Sequence, residues 1–429
     1  MADTKIRIAI IGGGLTGATL ANALFHVSGL DVHVYESAPT FSERGASVAL
    51  SSNALHALKR VIPASTELLA RAGAVPINSS RAILGSGPQA GTLIVEMGGG
   101  VESGVGVHRA ALLRELLAPL PPSLLHANKK LTSLTQDNVG DGEVEVSFED
   151  GTVKRFDAVI GADGIFSSVR NYVLGDEAAR HAPSPAGWWD CRVLVPFEKA
   201  KATIGEQYFD MPRQNAWMGD GGFILHDVLD GGKTVQCAIC CVEKEPPKER
   251  KRPLTLEMLN EALSGWLDGP IAKAAIELMV DQPNLHGYSQ WEQKSTPTYA
   301  NGRVCIVGDA AHATTPWQGA GAGQAFEDAV ILGHLMSNLS SDPSDSTRPV
   351  DKIAAAFQAF DAVRRPRCQR VIDSSRDTGV LTCGQDPDAG LNPDKMRAAF
   401  GGRWTFIFGL DLDEYKQDAM GKMHEFLGR

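Results

Sequence analysis

Three glycines near the start of the chain, Gly12, Gly14 and Gly17, have the spacing of a turn that binds the pyrophosphate of a dinucleotide. The apolar run 6–11 before them predicts a buried strand, and the apolar pattern after them predicts a helix. In such a turn the glycines allow a tight bend, a close approach of the phosphates and close helix–strand packing. Glu36 follows where an acidic side chain can accept hydrogen bonds from a ribose hydroxyl. The pattern predicts a bound dinucleotide without deciding between NAD and FAD.

Two further motifs follow short apolar strands. The first strand ends in Asp163-Gly164, and a helix is predicted shortly after it. The second strand, 304–307, runs through a glycine into Asp309, and a glycine-rich segment then leads into another predicted helix. A dehydrogenase that uses only NAD needs neither motif, so the combination with the first motif is more specific than the glycine turn alone.

These three motifs, in this order, resemble those of the flavoprotein aromatic hydroxylases, and the resemblance spans nearly the whole chain. In that family the residues matching Asp163 and Gly164 lie between the FAD pyrophosphate and the path of the nicotinamide cofactor. The residue matching Asp309 binds the ribityl chain of FAD, and the glycine run after it leads into a helix whose N-terminus faces the flavin. The resemblance assigns to FAD the residues Gly12, Gly14, Leu15, Thr16, Gly17, Glu36, Arg44, Gly45, Ala46, Arg109, Asp163, Gly164, Asp309, Pro316, Gly319, Ala320, Gly321 and Ala322.

Within the family, the chain looks closest to salicylate hydroxylase and to fungal enzymes that hydroxylate or dearomatise polyketide phenols. The resemblance implies that NADH or NADPH reduces FAD, and that a flavin hydroperoxide formed with oxygen then attacks a phenolic ring. Ring hydroxylation, decarboxylative hydroxylation and dearomatisation share this mechanism, and the sequence does not separate them. Three alternatives stay open: a flavin dehydrogenase or reductase without oxygen transfer, a non-catalytic FAD-binding sensor, and an NAD-dependent dehydrogenase.

Three residues are expected to shape the substrate site. Arg192 aligns with an arginine of salicylate hydroxylase and its dearomatising relatives, where it could hold a carboxylate or phenolate oxygen. His226 matches a position that is often tyrosine or phenylalanine beside the substrate, and a histidine there could act as a base or hydrogen-bond partner. Trp317 stands where these enzymes commonly carry histidine; since indole cannot act as a base, it would narrow the pocket and offer a stacking face. For Arg192 and His226 the alternative is an ordinary structural role.

The resemblance and the strand pattern together predict an α/β fold. It should combine a Rossmann-like FAD-binding domain of the p-hydroxybenzoate hydroxylase type, a mostly antiparallel sheet for the substrate, and C-terminal helices. We expect the FAD-binding domain to comprise 1–180 and 296–380, with 72–105 contributing to the substrate domain. The substrate domain should comprise 181–295, and 381–429 should form the C-terminal helical region.

Other local patterns predict ordinary structure. The alternation in 144–148, a turn, and the apolar run 156–160 predict a β-hairpin, and 254–267 is predicted to be a helix. Cys237 and Cys240 form a C-x-x-C motif inside a predicted buried strand. Because residues three apart on a strand point to opposite faces, we expect a packing role and no metal site.

The composition excludes several classes of protein. With 43% hydrophobic and 21% charged residues the chain is globular, and its formal net charge of -10 argues against a nucleic-acid surface. No apolar run is long enough to span a membrane, and the N-terminus lacks the pattern of a secretory signal. We expect a cytoplasmic monomer or homodimer whose partners are a small aromatic substrate and oxygen.

Overall fold

The computed structural model describes residues 5–42, 47–98, 104–136, 142–339 and 347–429 of the chain. The described strands are β1 (Ile6–Ile11), β2 (Leu30–Tyr35), β3 (Ser47–Leu50), β4 (Val75–Ile77), β5 (Ser79–Leu84), β6 (Leu93–Gly98), β7 (Gly104–His108), β8 (Leu125–His126), β9 (Leu131–Gln136), β10 (Val144–Phe148), β11 (Val153–Phe156), β12 (Ala158–Gly161), β13 (Ser184–Pro196), β14 (Gln214–Gly219), β15 (Gly222–Leu229), β16 (Thr234–Val242), β17 (Lys251–Pro253), β18 (His286–Glu292), β19 (Ala300–Asn301) and β20 (Val304–Ile306). The described helices are α1 (Leu15–Leu24), α2 (Ser52–Val61), α3 (Ser65–Arg71), α4 (Arg109–Leu117), α5 (Ser168–Leu174), α6 (Phe197–Ile204), α7 (Leu256–Ala262), α8 (Ala272–Val280), α9 (Asp309–His312), α10 (Gly321–Ser337), α11 (Pro349–Thr382), α12 (Pro393–Phe400), α13 (Thr405–Phe408) and α14 (Leu412–Phe426). None of these helices is long and apolar enough to cross a membrane.

A six-stranded sheet contains the first strand of the chain, in the order β19-β20-β12-β1-β2-β8. All neighbours in it run parallel except β19 and β20. The apolar sequence of β1 suits its place in the middle of the sheet, where Ile8 and Ile10 are fully buried. Because β2 and β12 lie on opposite sides of β1, the strand order reverses at β1, and nucleotides bind such sheets outside the carboxyl ends of the strands at this point.

An eight-stranded sheet has the order β17-β18-β13-β16-β15-β14-β5-β6 and is antiparallel except between β14 and β5. Its last two strands come from 79–98, whereas the others come from 184–292. One face packs on α6 and α8 around a core that includes Trp217, Ile239 and Trp266. The other face borders a cavity. The two main sheets are therefore built from segments that alternate along the chain.

The remaining elements complete the predicted architecture. Two small antiparallel sheets, β9-β10-β11 and β3-β7-β4, are formed by segments that lie in the sequence between strands of the six-stranded sheet. Helix α10 packs against α1 and α2, and the long helix α11 packs against α14. The predicted α/β class, with a mostly antiparallel second sheet and C-terminal helices, is confirmed. The domain boundaries given above stay predictions.

Two local predictions need correction. The antiparallel partner of β10 is β11, whereas β12 leaves this hairpin and joins the six-stranded sheet in parallel with β1. The separation occurs at Asp157, whose carboxylate accepts hydrogen bonds from the amide (2.7 Å) and guanidinium (3.3 Å) of Arg7 in β1. The helix predicted over 254–267 is limited to α7 and a following 3-10 turn. There the indole of Trp266 donates to the Asp220 carbonyl at 2.9 Å.

Candidate active site

A cavity of about 1970 Å³ lies between the carboxyl end of the six-stranded sheet and one face of the eight-stranded sheet. The glycine turn after β1 lines one part of it, and residues of β13, β15 and β16 line another. Cavities that hold one small ligand typically measure about 300–1,000 Å³. This cavity therefore has room for a dinucleotide together with a second molecule.

The turn between β1 and α1 contains glycines that no other residue can replace without movement of the backbone. Gly12 has a φ of +109°, and a Cβ on it would lie 2.2 Å from the carbonyl oxygen of Ala162. A Cβ on Gly17 would lie 1.9 Å from the carbonyl oxygen of Gly12. The Glu36 carboxylate accepts a hydrogen bond from the Gly13 amide at 2.8 Å, which fixes its direction at the cavity. The N-cap residue of α1 is Gly14, which has no capping side chain. A helix N-terminus at a glycine turn is a favourable place for phosphate oxygens.

Helix α5 holds the second and third motifs together. The Asp163 carboxylate accepts a hydrogen bond from the amide of Ser168 at 2.7 Å and so caps the start of this helix. Burial raises the pKa of Asp163, against the effect of the hydrogen bonds that it accepts. The buried guanidinium of Arg170 donates to the carbonyl of Ala310 at 3.1 Å, directly after Asp309. These contacts of α5 therefore fix the positions of Asp163 and Asp309 relative to each other at the cavity.

A buried ionic network lies behind the N-terminal half of α10. The guanidinium of Arg364 donates to Glu327 and to Asp328, each at 2.7 Å. Asp328 also accepts the amide of Gly308 at 2.8 Å and contacts the His312 imidazole at 2.7 Å. Burial opposes a charge on His312, but Asp328 and Cys368 together outweigh it and hold the pKa of this histidine well above its usual range. The network fixes α10 and the strand end that precedes Asp309.

The cavity face of the eight-stranded sheet carries a group of polar side chains. Asp190 and Arg192 lie two residues apart on β13, and therefore on one face, with Asp227 and Gln236 on the neighbouring strands. The Asp190 carboxylate accepts hydrogen bonds from Arg192 at 3.2 Å and from Gln290 at 3.0 Å. Of this group the sequence analysis identified only Arg192. Asp190 precedes Arg192 by two residues on a predicted strand, so the sequence could have identified it as a neighbour on the same face.

Residues 5–348 match the family model described as an FAD binding domain. The chain belongs to this family. A 6-methylsalicylate 1-monooxygenase of Aspergillus terreus is 36% identical over 433 residues, which cover 97% of this chain and 92% of that protein. A salicylate hydroxylase of Pseudomonas putida is 32% identical over 435 residues, which cover 97% and 95% of the two chains. A solved salicylate hydroxylase substrate complex is similar with a TM-score of 0.82 and 25% identity, over 97% of this chain and 98% of that chain.

This flavoprotein aromatic hydroxylase is an FAD-dependent monooxygenase, as its three motifs predicted, and FAD is its cofactor. The structure brings most of the predicted FAD residues to one cavity, but Gly17 lies behind it within α1. Arg44, Gly45 and Ala46 lie outside the described residues. The assigned residues that line the cavity are Gly12, Gly14, Leu15, Thr16, Glu36, Arg109, Asp163, Gly164, Asp309, Pro316, Gly319, Ala320, Gly321 and Ala322. Their individual contacts with FAD stay predictions.

The residues present fit an FAD molecule. The glycine turn leaves no Cβ between its backbone and the cavity, which a pyrophosphate requires. Helix α10 begins at Gly321 with no acidic residue in its first turn and no capping side chain. Its positive dipole end therefore faces the cavity without a competing carboxylate of its own, and it favours the negative charge of a reduced flavin.

His226 does not face the cavity, and the prediction that it acts as a substrate base is wrong in this structure. Side chains alternate along β15, so Leu225 and Asp227 line the cavity while His226 points to the opposite face. There its ring packs against Phe209 and Trp217, with centroid distances of 5.5 and 6.4 Å. Burial lowers the pKa of His226 to about 3, so it is a neutral core residue.

This placement predicts how the His226→Phe variant will differ from the wild type. Below a pH of about 6.5 the unfolded chain gains a proton at His226 while the native protein does not, so the wild type loses stability as pH falls. Between about pH 7 and about pH 5 the variant should lose about 2 kcal/mol less unfolding free energy than the wild type. Urea unfolding at the two pH values measures this difference. Turnover should not change, and a loss of turnover would restore a catalytic role for His226.

Trp317 lies at the cavity in an aromatic cluster. Its ring meets Trp188 and Phe223 edge to face, with centroids 5.3 and 5.4 Å away. Gly379 of α11 lies against the indole, because a Cβ there would be 2.4 Å from its Nε1. The ring lies between the eight-stranded sheet and α11 and lines the cavity, which is the position expected of a residue that narrows the pocket. Its contact with a substrate stays a prediction.

Proposed function

We propose that this aromatic hydroxylase acts on a small phenol of the salicylate type, whose anionic oxygen is held by Arg192. The supporting observation is the position of this cation on the cavity face of β13, in a chain whose relatives are named for salicylate and 6-methylsalicylate. A guanidinium forms charge-assisted hydrogen bonds with a carboxylate or phenolate, and it has several donors left after its contact with Asp190.

The protein residues have three tasks in this proposal. FAD, reduced by NADH or NADPH, supplies the activated oxygen for transfer to the ring. Arg192 binds and orients the substrate, and Asp190, itself held by Gln290, keeps the guanidinium in place. Trp317 and Phe223 form an apolar wall that excludes water from the reacting centre. The cytoplasmic location and the monomeric or homodimeric state stay predictions from the sequence.

The test is NADH consumption and oxygen uptake by the purified FAD-loaded protein, with salicylate and with 6-methylsalicylate, together with product masses. Stimulation by either acid with a hydroxylated product supports the proposal, and the mass shows whether carbon dioxide was lost. NADH consumption with a reduced product and no oxygen uptake would favour a flavin reductase. No stimulation by either acid would reject the salicylate class.

Replacing Arg192 by methionine should raise the KM for salicylate about 10- to 100-fold, since a charge-assisted hydrogen bond contributes about 1.5–3 kcal/mol. The matched control is Arg155→Met, which removes an exposed arginine that pairs with Glu145 and does not line the cavity. Steady-state kinetics with saturating NADH measure the effect. An unchanged KM in the Arg192 variant would remove this residue from the substrate site.

A further inference from the structure

Asp227 is a buried carboxylate on the cavity face of β15 that the proposed function does not use. One oxygen, Oδ1, accepts a hydrogen bond from Gln236 of β16 at 3.1 Å. Among the described residues none donates to the other oxygen, Oδ2, and Gly106 of β7 faces it without a side chain. The carboxylate is thus held at one oxygen and open at the other.

The second carboxylate on this face, Asp190, also has one oxygen, Oδ1, to which none of the described residues donates, but its charge is compensated by a cation. Asp190 is engaged by Arg192 and by Gln290 through the same oxygen, Oδ2, and forms an ion pair with the guanidinium. Among the residues that the structure describes, only the neutral amide of Gln236 donates to Asp227, so its carboxylate keeps a basic oxygen for a ligand. The two acids therefore have different chemistry although they share one face of the sheet.

The surface between Asp227 and Arg192 suits an aromatic ring. Strand β16 separates their strands, and the register places Arg192 beside Ala238 and Ala238 beside Leu225. On the next strand Ala216 continues this row, and all of these side chains line the cavity. These apolar side chains form a floor with the cation of Arg192 at one end and the carboxylate of Asp227 at its edge.

We propose that Asp227 takes the proton of a phenolic hydroxyl of the bound substrate, while the positive charge of Arg192, at the other end of the floor, favours the negatively charged substrate that remains. The O–H bond breaks, its electron pair stays on the phenolic oxygen, and the proton moves to Oδ2 of Asp227. The resulting phenolate has the electron-rich ring that electrophilic oxygen transfer requires. This inference rests on the proposed function, because it needs a phenol in the cavity.

The surroundings of Asp227 make it a suitable base. Burial raises its pKa to about 6, while Gln236 and the charge of Arg192 act in the other direction. It is therefore ionised near neutral pH and yet a better proton acceptor than an ordinary aspartate. The groups that face it are Arg192 from β13, Gln236 from β16, Gln214 from β14 and Gly106 from β7. Cys237 and His226 belong to the opposite face of the sheet.

The first experiment follows the ionisation of 4-nitrophenol bound to the oxidised FAD-loaded enzyme, by absorbance across a pH series. The Asp227→Asn variant should ionise the bound phenol at a lower pH than the wild type, because it removes a negative charge beside the phenolic oxygen. The Arg192→Met variant should ionise it at a higher pH, because it removes a positive charge. An Asp227→Asn variant that ionises the bound phenol at the wild-type pH would place Asp227 away from the phenolic oxygen and overturn the inference.

The second experiment is the pH profile of kcat with salicylate. The wild-type kcat should fall below a pH of about 6, whereas Asp227→Asn should lose at least about 100-fold at neutral pH and lack this acid limb. The matched control Asp220→Asn changes an exposed acid in the turn of the same hairpin, outside the cavity, and should behave as wild type. Equal kcat profiles for Asp227→Asn and wild type would reject the base role. Absence of phenol-stimulated NADH consumption in the wild type would instead reject the proposed function.

The variant should fold. The native pKa of Asp227 lies above that of an unfolded aspartate, so its charge opposes folding at neutral pH and asparagine relieves that cost. Thermal unfolding should occur at or above the wild-type temperature. A low kcat with wild-type stability and an unchanged KM for NADH then identifies loss of a proton acceptor, which a structural role would not produce.

Discussion

Substitution of Gly17 by alanine will produce a protein that loses FAD during purification. The added Cβ would lie 1.9 Å from the carbonyl oxygen of Gly12, a backbone atom of the same turn. That turn must open to accept it, which moves the amides that are expected to face the pyrophosphate. Overpacking of this kind costs about 1–3 kcal/mol, so we expect FAD binding to weaken about 5- to 150-fold.

Flavin absorbance retained after gel filtration, and titration of the FAD-free protein with FAD, measure this loss. The matched control is Gly421→Ala, which changes another helical glycine with open space around its Cβ position. Alanine favours a helix over glycine by about 1 kcal/mol, so the control should be as stable as the wild type or more stable. Full FAD retention by the Gly17 variant would show that the turn is not the pyrophosphate site.

The second large effect is expected from Arg364→Met. Arg364 is fully buried and forms ion pairs with Glu327 and Asp328, which are fully buried as well. Its loss leaves these carboxylates with fewer cationic partners in a region closed to water, although Arg367 still contacts Glu327 at 2.8 Å. Breaking a buried pair by removal of one partner typically costs about 3–5 kcal/mol. We expect a loss of unfolding free energy in that range, measured by urea unfolding.

The neighbouring residue provides the control. Arg365 is partly exposed and pairs with Asp361 one turn earlier on α11, so Arg365→Met should cost less than about 1 kcal/mol. FAD retention is a second measurement, because the Arg364 network holds α10, whose N-terminus borders the cavity. If both variants lost equal stability, the ionic network would not be a main support of α10.

The sequence determined the nucleotide-binding half of this protein because the necessary features are local. A turn with a φ of +109° at Gly12 and no space for a Cβ at Gly17 requires glycines at those positions. The apolar run of β1 requires a central place in a sheet, since both of its faces must be buried. These requirements lie within a short stretch of chain, so they can be recognised in the sequence without knowledge of the tertiary structure.

The tertiary structure decided which side chains share the substrate face. Residues of β15 are buried on both sides, by the cavity on one and an aromatic core on the other, so the sequence pattern did not show which alternate set faces the cavity. The sequence analysis selected His226, and the structure instead presents Asp227. A shift by one residue exchanges the two faces of a strand.

Contacts between distant segments were equally invisible in the sequence. Arg170 reaches the carbonyl of Ala310 across 140 positions, and Arg364 reaches Asp328 across 36. From the sequence alone, each arginine would be predicted to lie at the surface. Arginine is rarely buried without a partner, and these partners are distant in sequence. The sequence by itself determined the family and the cofactor, since a dinucleotide turn is a local backbone property. Only the tertiary structure decided the acids and amides around Arg192, because strands from separate parts of the chain must pair before their side chains share one face.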